Sequence, residues 1–190
     1  MSGRSVPKHR HLLFWALALG GAGFDLWTKA TIFEWVGPPP HSPPRPILGS
    51  ILELKTSYND GALWGLGRGL PYSAQIFAAL SIVAALAICY WLFFRGAAAD
   101  WRLTAALGLI MAGAIGNCYD RLMHGHVRDF AHFHVDSIGF DFPIFNFADN
   151  MLVIGALWLM VMAFQPTVQP APQPTGAEPT STAVASSVGG

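Results

Sequence analysis

Charge is scarce in this chain of 190 residues. Only 12% of them are Asp, Glu, Lys or Arg, where a soluble domain carries about 25%. With 53% hydrophobic residues and a mean hydropathy of +0.41, this shortfall argues against a soluble globular protein and for a membrane one. There is no excess of either sign: 11 basic residues balance 11 acidic ones, so no basic footprint for nucleic acid exists. Cysteine is nearly absent. Cys89 and Cys118 both lie in apolar segments, which excludes a disulfide framework and gives no metal-ligand spacing. There is no H-E-x-x-H pair either. Aromatic residues are not scarce. Many of them, Trp27 and Trp35 included, fall near segment ends, where amphipathic rings anchor at the membrane interface. Trp64 invites the same reading.

Apolar runs divide the chain. Residues 1–11 are polar and basic, and an apolar stretch then begins at Leu12. A charged start before an apolar run also fits a secretory signal peptide, with Gly20 to Gly23 as small residues at a cleavage site. The stretch continues to Trp35, however, long enough for a bilayer core of about 30 Å at about 1.5 Å per residue. Residues 37–69 are rich in proline at first, then mix β-branched and polar residues from Ile47 to Tyr58. The turn signal Asn59-Asp60-Gly61 follows. Leu70 to Phe94 carries no charge at all. Leu103 to Tyr119 is rich in Ala and Gly, which suits close helix contact in lipid. Residues from 165 onward are Pro, Thr, Ala, Ser and Gly with one acid, the composition of a disordered tail.

The expected fold is therefore a mainly α membrane protein with four transmembrane helices, at about 12–35, 70–94, 103–120 and 144–164. Polar outer lobes would lie at about 37–69, with a short strand or two, and at about 121–143. Residues 1–11 and 165–190 flank this 12–164 domain. Arg4, Lys8, Arg10, Arg95 and Arg102 then share one side, which the positive-inside rule makes cytoplasmic together with both termini. Asp25, Lys29, Asn59, Asp120, Asp129 and Asp149 converge on the outer side.

Acids at a membrane boundary are functional candidates. Asn117, Asp120 and Arg121 have helix-face spacing, as do Asn146 and Asp149, and Asp25 and Lys29. Two carboxylates in one pocket cannot both ionise cheaply, so one holds a proton and the other a charge. Such a pair can activate water and protonate a leaving amine. The bland readings are also available. Asp25–Lys29 and Asp120–Arg121 would be ion pairs that hold helix ends, and Asp149 a first-turn acid facing the helix dipole. His124 and His126, then His132, His134 and Asp136, could ligate a metal, the last three sharing one face of a strand, but exposed or interfacial histidines are the simpler account.

Five separated motifs resemble the signal peptidase II family, the prolipoprotein signal peptidases of bacteria. They are Asp25-Leu26-Trp27-Thr28-Lys29, Asn59-Asp60-Gly61-Ala62, Gly116-Asn117-Cys118-Tyr119-Asp120-Arg121, Gly125-His126-Val127-Arg128-Asp129-Phe130 and Phe145-Asn146-Phe147-Ala148-Asp149. The resemblance implies an aspartic endopeptidase of the bacterial cytoplasmic membrane, cleaving signal peptides just before a diacylglyceryl-cysteine. Its catalytic pair would be Asp129 and Asp149. Asn59, Asn117, Asp120, Arg121 and Asn146 would position substrate and acids, with Asp25 and Lys29 as a supporting pair. It implies no metal or cofactor, and as partners only lipid-modified precursors and membrane lipids, with the enzyme a monomer. It also implies a small extracytoplasmic β-sheet lobe at about 45–68 and a short, mobile extracytoplasmic helical segment, a half-helix, at about 128–142. Leu63-Trp64 and Arg128 depart from the family pattern and put substrate preference in question. Two other classes compete: a proton-coupled carrier relaying protons through Asp25, Asp120 and Asp149, and a non-enzymatic scaffold that works through its tail.

Overall fold

The computed structural model describes residues 6–49, 51–61, 67 and 69–165. The Leu63-Trp64 departure, the Trp64 anchor and the tail after Gln165 lie outside the described residues. Helix α1 runs from Lys8 to Val36, followed by strands β1 (Arg45–Leu48) and β2 (Leu52–Asn59). Helix α2 (Ser73–Cys89) continues through one π-helical turn to Phe94, and α3 spans Trp101–His124. Strands β3 (Val127–Val135) and β4 (Phe140–Asp141) precede α4 (Phe147–Ala163). The four strands form one antiparallel sheet in the order β1-β2-β3-β4.

Helix α3 is the hub: it packs against α1, α2 and α4. Its small residues make this possible. A Cβ on Gly113 would strike the Ala148 carbonyl oxygen of α4, and one on Gly116 would strike the Asp25 carboxylate of α1. Small residues of this kind let backbones approach where lipid offers no hydrophobic drive between helices. One apolar cluster, with Phe14, Leu92, Leu107 and Met111, closes the end away from the sheet. A smaller one, Val36, Leu54 and Phe130, fastens the sheet to the end of α1. Large apolar side chains along α2, among them Ile76, Leu80, Val83 and Leu86, stay exposed. An apolar surface of that extent marks a face that meets something other than water. Among the described residues, two helices, Ser73–Phe94 and Trp101–His124, are long and apolar enough to cross a membrane.

Several boundaries differ from those read in the sequence, each for a local reason. Helix α3 begins at Trp101, capped by the Asp100 side chain, which accepts from the Arg102 amide at 2.8 Å. It runs on to His124 and stops at Gly125, whose φ of 77° is cheap only without a Cβ. Asp120 and Arg121 therefore lie inside the helix, not at its end. Helix α4 starts at Phe147, not Ile144, because Asn146 caps it. The segment before it is extended, and Phe145 bridges to Ala131. The short helical segment expected in the second lobe is a strand. Val127 to Val135 pairs along β2, and only Asp136–Ile138 forms a single 3-10 turn. Val127, Phe130 and Val135 are strand-favouring residues, and the β2 edge supplies the ladder that a half-helix would forgo.

Candidate active site

Asp129 enters the site from β3 and Asp149 from the first turn of α4. Asn146 ties them together. Its side-chain amide donates to Asp129 Oδ1 at 2.5 Å and to Asn117 Oδ1 at 3.2 Å, and its backbone N–H donates to Asp149 Oδ2 at 3.1 Å. The Asn146 side-chain oxygen accepts the Asp149 backbone N–H at 3.0 Å, which completes a capping box. Asn117, from α3, donates to Asp149 Oδ1 at 2.9 Å, and Asn59, at the end of β2, donates to Asp129 Oδ2 at 3.1 Å. Each carboxylate thus accepts two hydrogen bonds. Asn59 is itself held by the Gly61 N–H, which donates to its side-chain oxygen at 3.0 Å.

A second layer sits behind. Lys29, wholly buried, meets Asp25 at 2.8 Å and Asp120 at 3.2 Å, and donates to Asn117 Oδ1 at 2.9 Å. Asp25 accepts the Ala148 backbone N–H at 2.8 Å, so α1 is fixed to the start of α4. The pairing expected between Asp120 and Arg121 does not form, because adjacent helix residues point in different directions. Asp120 instead accepts from the Arg128 guanidinium at 2.7 and 3.1 Å and from the Arg128 backbone N–H at 2.9 Å. Arg121 reaches across to the Gly61 carbonyl at 2.9 Å and lies over the Phe77 ring. Arg128, a departure from the family pattern that put substrate preference in question, turns its side chain inward to clamp Asp120, a role no local signal announces. His132, expected to be exposed or interfacial, is buried between Glu53 and Asp141. The β2–β3 register puts Glu53 beside it, a pairing invisible before the strands are aligned.

The electrostatics follow from burial. Asp129 is 2% exposed. Removal from water, and then the nearby Asp149 charge, push its carboxyl up to about 7, against the opposing hydrogen bonds of Asn59 and Asn146. Near neutral pH Asp129 is therefore close to its own midpoint and carries a proton part of the time. Beside them opens a cavity of about 370 Å³ between α2, α3 and α4. Its polar floor is Asn117, Arg121 and Asp149, and its walls are apolar, with Phe77, Leu80 and Leu152 among them.

A helical frame with an apolar exterior, a polar network sealed inside and two acids tied together by asparagines beside an apolar cleft is the build of a membrane enzyme. Comparison with known proteins narrows the class. Residues 17–165 match the family described as signal peptidase (SPase) II. A lipoprotein signal peptidase of Rhodopirellula baltica is 39% identical over 187 residues, covering 93% of this chain and 82% of that protein. One from Xanthomonas campestris pv. campestris is 34% identical over 152 residues, with 80% and 87% covered. A bacterial membrane enzyme solved by the in meso method at 1.9 Å resolution superposes with a TM-score of 0.69 at 28% identity, covering 88% of this chain and 99% of that one. The chain belongs to the signal peptidase II family, and it is a membrane protein and a peptidase.

Proposed function

We infer that this protein removes the signal peptide from lipoprotein precursors by an aspartic mechanism. Asp129 and Asp149 would be the catalytic pair, cutting just before the lipid-modified cysteine. The observation that carries this reading is the pair itself. Buried Asp129 and half-buried Asp149 are joined through Asn146 and Asn117, and Asp149 opens onto a cavity with apolar walls. The names of the relatives supply the substrate class. An apolar signal segment would lie in the cleft between α2 and α4, with the bond to be cut at the polar floor.

In the reaction, Asp129 enters carrying the proton, in keeping with its raised affinity for one. Asp149 is the charged partner, with the Arg121 guanidinium lining the same floor. Asp149 takes a proton from a water held between the two carboxyl groups, and the hydroxide attacks the scissile carbonyl carbon. Asp129 gives its proton to the carbonyl oxygen. As the tetrahedral diol collapses, Asp149 returns its proton to the leaving amine and Asp129 recovers one from the diol. The products are a signal peptide with a new carboxylate and a lipoprotein with a free amino group on its lipid-modified cysteine. Asn59, Asn117, Asn146 and Arg121 position the acids and substrate, and Asp120, Asp25 and Lys29 hold that frame.

The arrangement in the bacterial cytoplasmic membrane would be four spans, α1 to α4, with both termini in the cytoplasm and the sheet outside. The basic residues Arg95 and Arg102 lie at the end opposite the sheet, which supports this orientation. Family membership leaves the carrier reading without support. The deciding experiment is incubation of the purified protein with a lipidated precursor peptide. Wild type should cleave it, and Asp129→Asn and Asp149→Asn should each abolish cleavage while the protein still inserts. Cleavage surviving in either variant would refute the assignment.

A further inference from the structure

On the sheet, outside the hydrogen-bonded network of the acid pair, three side chains converge. We propose that Glu53, His132 and His134 form a binding site for one divalent transition-metal ion, Zn²⁺ being the species that suits two imidazoles and a carboxylate. The geometry starts from register. Glu53 of β2 stands opposite His132 of β3, and His134, two residues on, faces the same way. Asp129, an odd number of residues away, belongs to the other face. One nitrogen or oxygen from each of Glu53, His132 and His134 falls within 4.8 Å of the others. His132 Nδ1 is 2.8 Å from Glu53 Oε1, and His134 Nε2 is 3.8 Å from Glu53 Oε2. Ligand atoms around a tetrahedral ion with bonds of about 2.0–2.1 Å stand roughly 3.3 Å apart. The two observed spacings lie on either side of that value but reach different oxygens of the Glu53 carboxylate, so an ion would draw both imidazoles toward one point.

The outer partners make the case stronger than proximity alone. Metal-bound histidines are held by a carboxylate on the ring nitrogen that does not ligate. Here each histidine has one. His132 Nε2 meets Asp141 Oδ1 at 2.6 Å, and His134 Nδ1 meets Asp136 Oδ1 at 3.0 Å. Those contacts fix both rings, which stack with centroids 4.9 Å apart, and turn His132 Nδ1 and His134 Nε2 toward Glu53. The 3-10 turn and β4 exist at the right place to deliver both outer acids. Asp136, which the strand spacing suggested as a ligand, is one of these outer partners, and Glu53 takes the third ligand position. With three protein ligands, a fourth position stays open to water.

The test uses the untagged full chain in detergent micelles. Zn²⁺ is titrated by calorimetry and Co²⁺ by visible absorption. One equivalent should bind, with Co²⁺ giving the intense bands of a low-symmetry four-coordinate site. His132→Gln, His134→Gln and Glu53→Gln should each weaken binding at least 10-fold, and Asp141→Asn should weaken it by about 10–100-fold. All four should still cleave the precursor peptide, which shows that they fold. The double change His124→Gln with His126→Gln should leave affinity unaltered. X-ray absorption on Zn²⁺-loaded wild type should give two imidazoles with oxygen ligands, a readout that needs no variant. Absence of saturable binding would overturn the proposal. So would binding that survives in both Glu53→Gln and His132→Gln, or a shell made only of oxygens.

Discussion

Lys29 neutralises two acids, Asp25 and Asp120, and orients Asn117, all out of reach of water. Removing one partner of a buried ion pair costs about 3–5 kcal/mol, because the other charge is left stranded. Lys29→Met is therefore expected to destabilise the protein by that order, measured as a loss of thermal midpoint in micelles, and to lower cleavage through the misplaced Asn117. Arg128→Ala should cost less, about 1–3 kcal/mol, since Lys29 still faces Asp120. At Asp129 the sign of the pH effect can be worked out. Its proton affinity is higher folded, about 7, than the ordinary 3.8, so between those values the folded state binds more protons than the unfolded one. Stability from this group is then present at low pH and is lost as pH rises through about 7. Asp129→Asn should raise the thermal midpoint relative to wild type at pH 8, with the gain shrinking towards pH 5. Cleavage by wild type should fall above about pH 7 as the Asp129 proton departs. A midpoint difference that does not change with pH would contradict this account.

Elements were legible to the degree that their signals were local. The uncharged run from Leu70 to Phe94 reads directly as a helix, and the structure starts it at Ser73 because Leu70 to Tyr72 turn, with the Ser73 N–H donating to the Leu70 carbonyl. The charges of Asp120 and Arg121 look like the boundary of α3, while the stop signal is Gly125. Strand β3 stands where the family resemblance implies a helical segment. Its partner β2 lies about 70 residues earlier in the chain, and no local pattern announces such a pairing. For the same reason Glu53 carries no local signal, whereas Asn117, Asn146 and Asp149 stand out through their spacing within single helices. The contact between α3 and α4 gives the prediction at this scale. Gly113→Ala forces a methyl group into the Ala148 carbonyl, next to Asp149. Overpacking of this kind costs about 1–3 kcal/mol. The variant should melt earlier and cleave more slowly, whereas Gly20→Ala, with open space around it, should do neither.

For the whole molecule, the distribution of Arg and Lys suggests which side faces the cytoplasm, and the five motifs identify the family. What remained hidden was how the two lobes merge into one sheet. The orientation proposed above is checked by reagent access in intact cells. A cysteine at His41 should react with an impermeant thiol probe from outside and one at Ala97 should not; the opposite pattern would reverse the topology. The hairpin of β3 and β4 adds a practical corollary. At its root the N–H groups of Phe130 and Ala131 both donate to the Phe145 carbonyl, and the Phe145 N–H donates back to Ala131. The root thus acts as a clasp, shutting off the loop from the acids on either side of it. A fluorophore or affinity handle attached at the loop's tip, near Gly139, would ride as a passenger, and the enzyme beneath it could be captured or imaged while still at work.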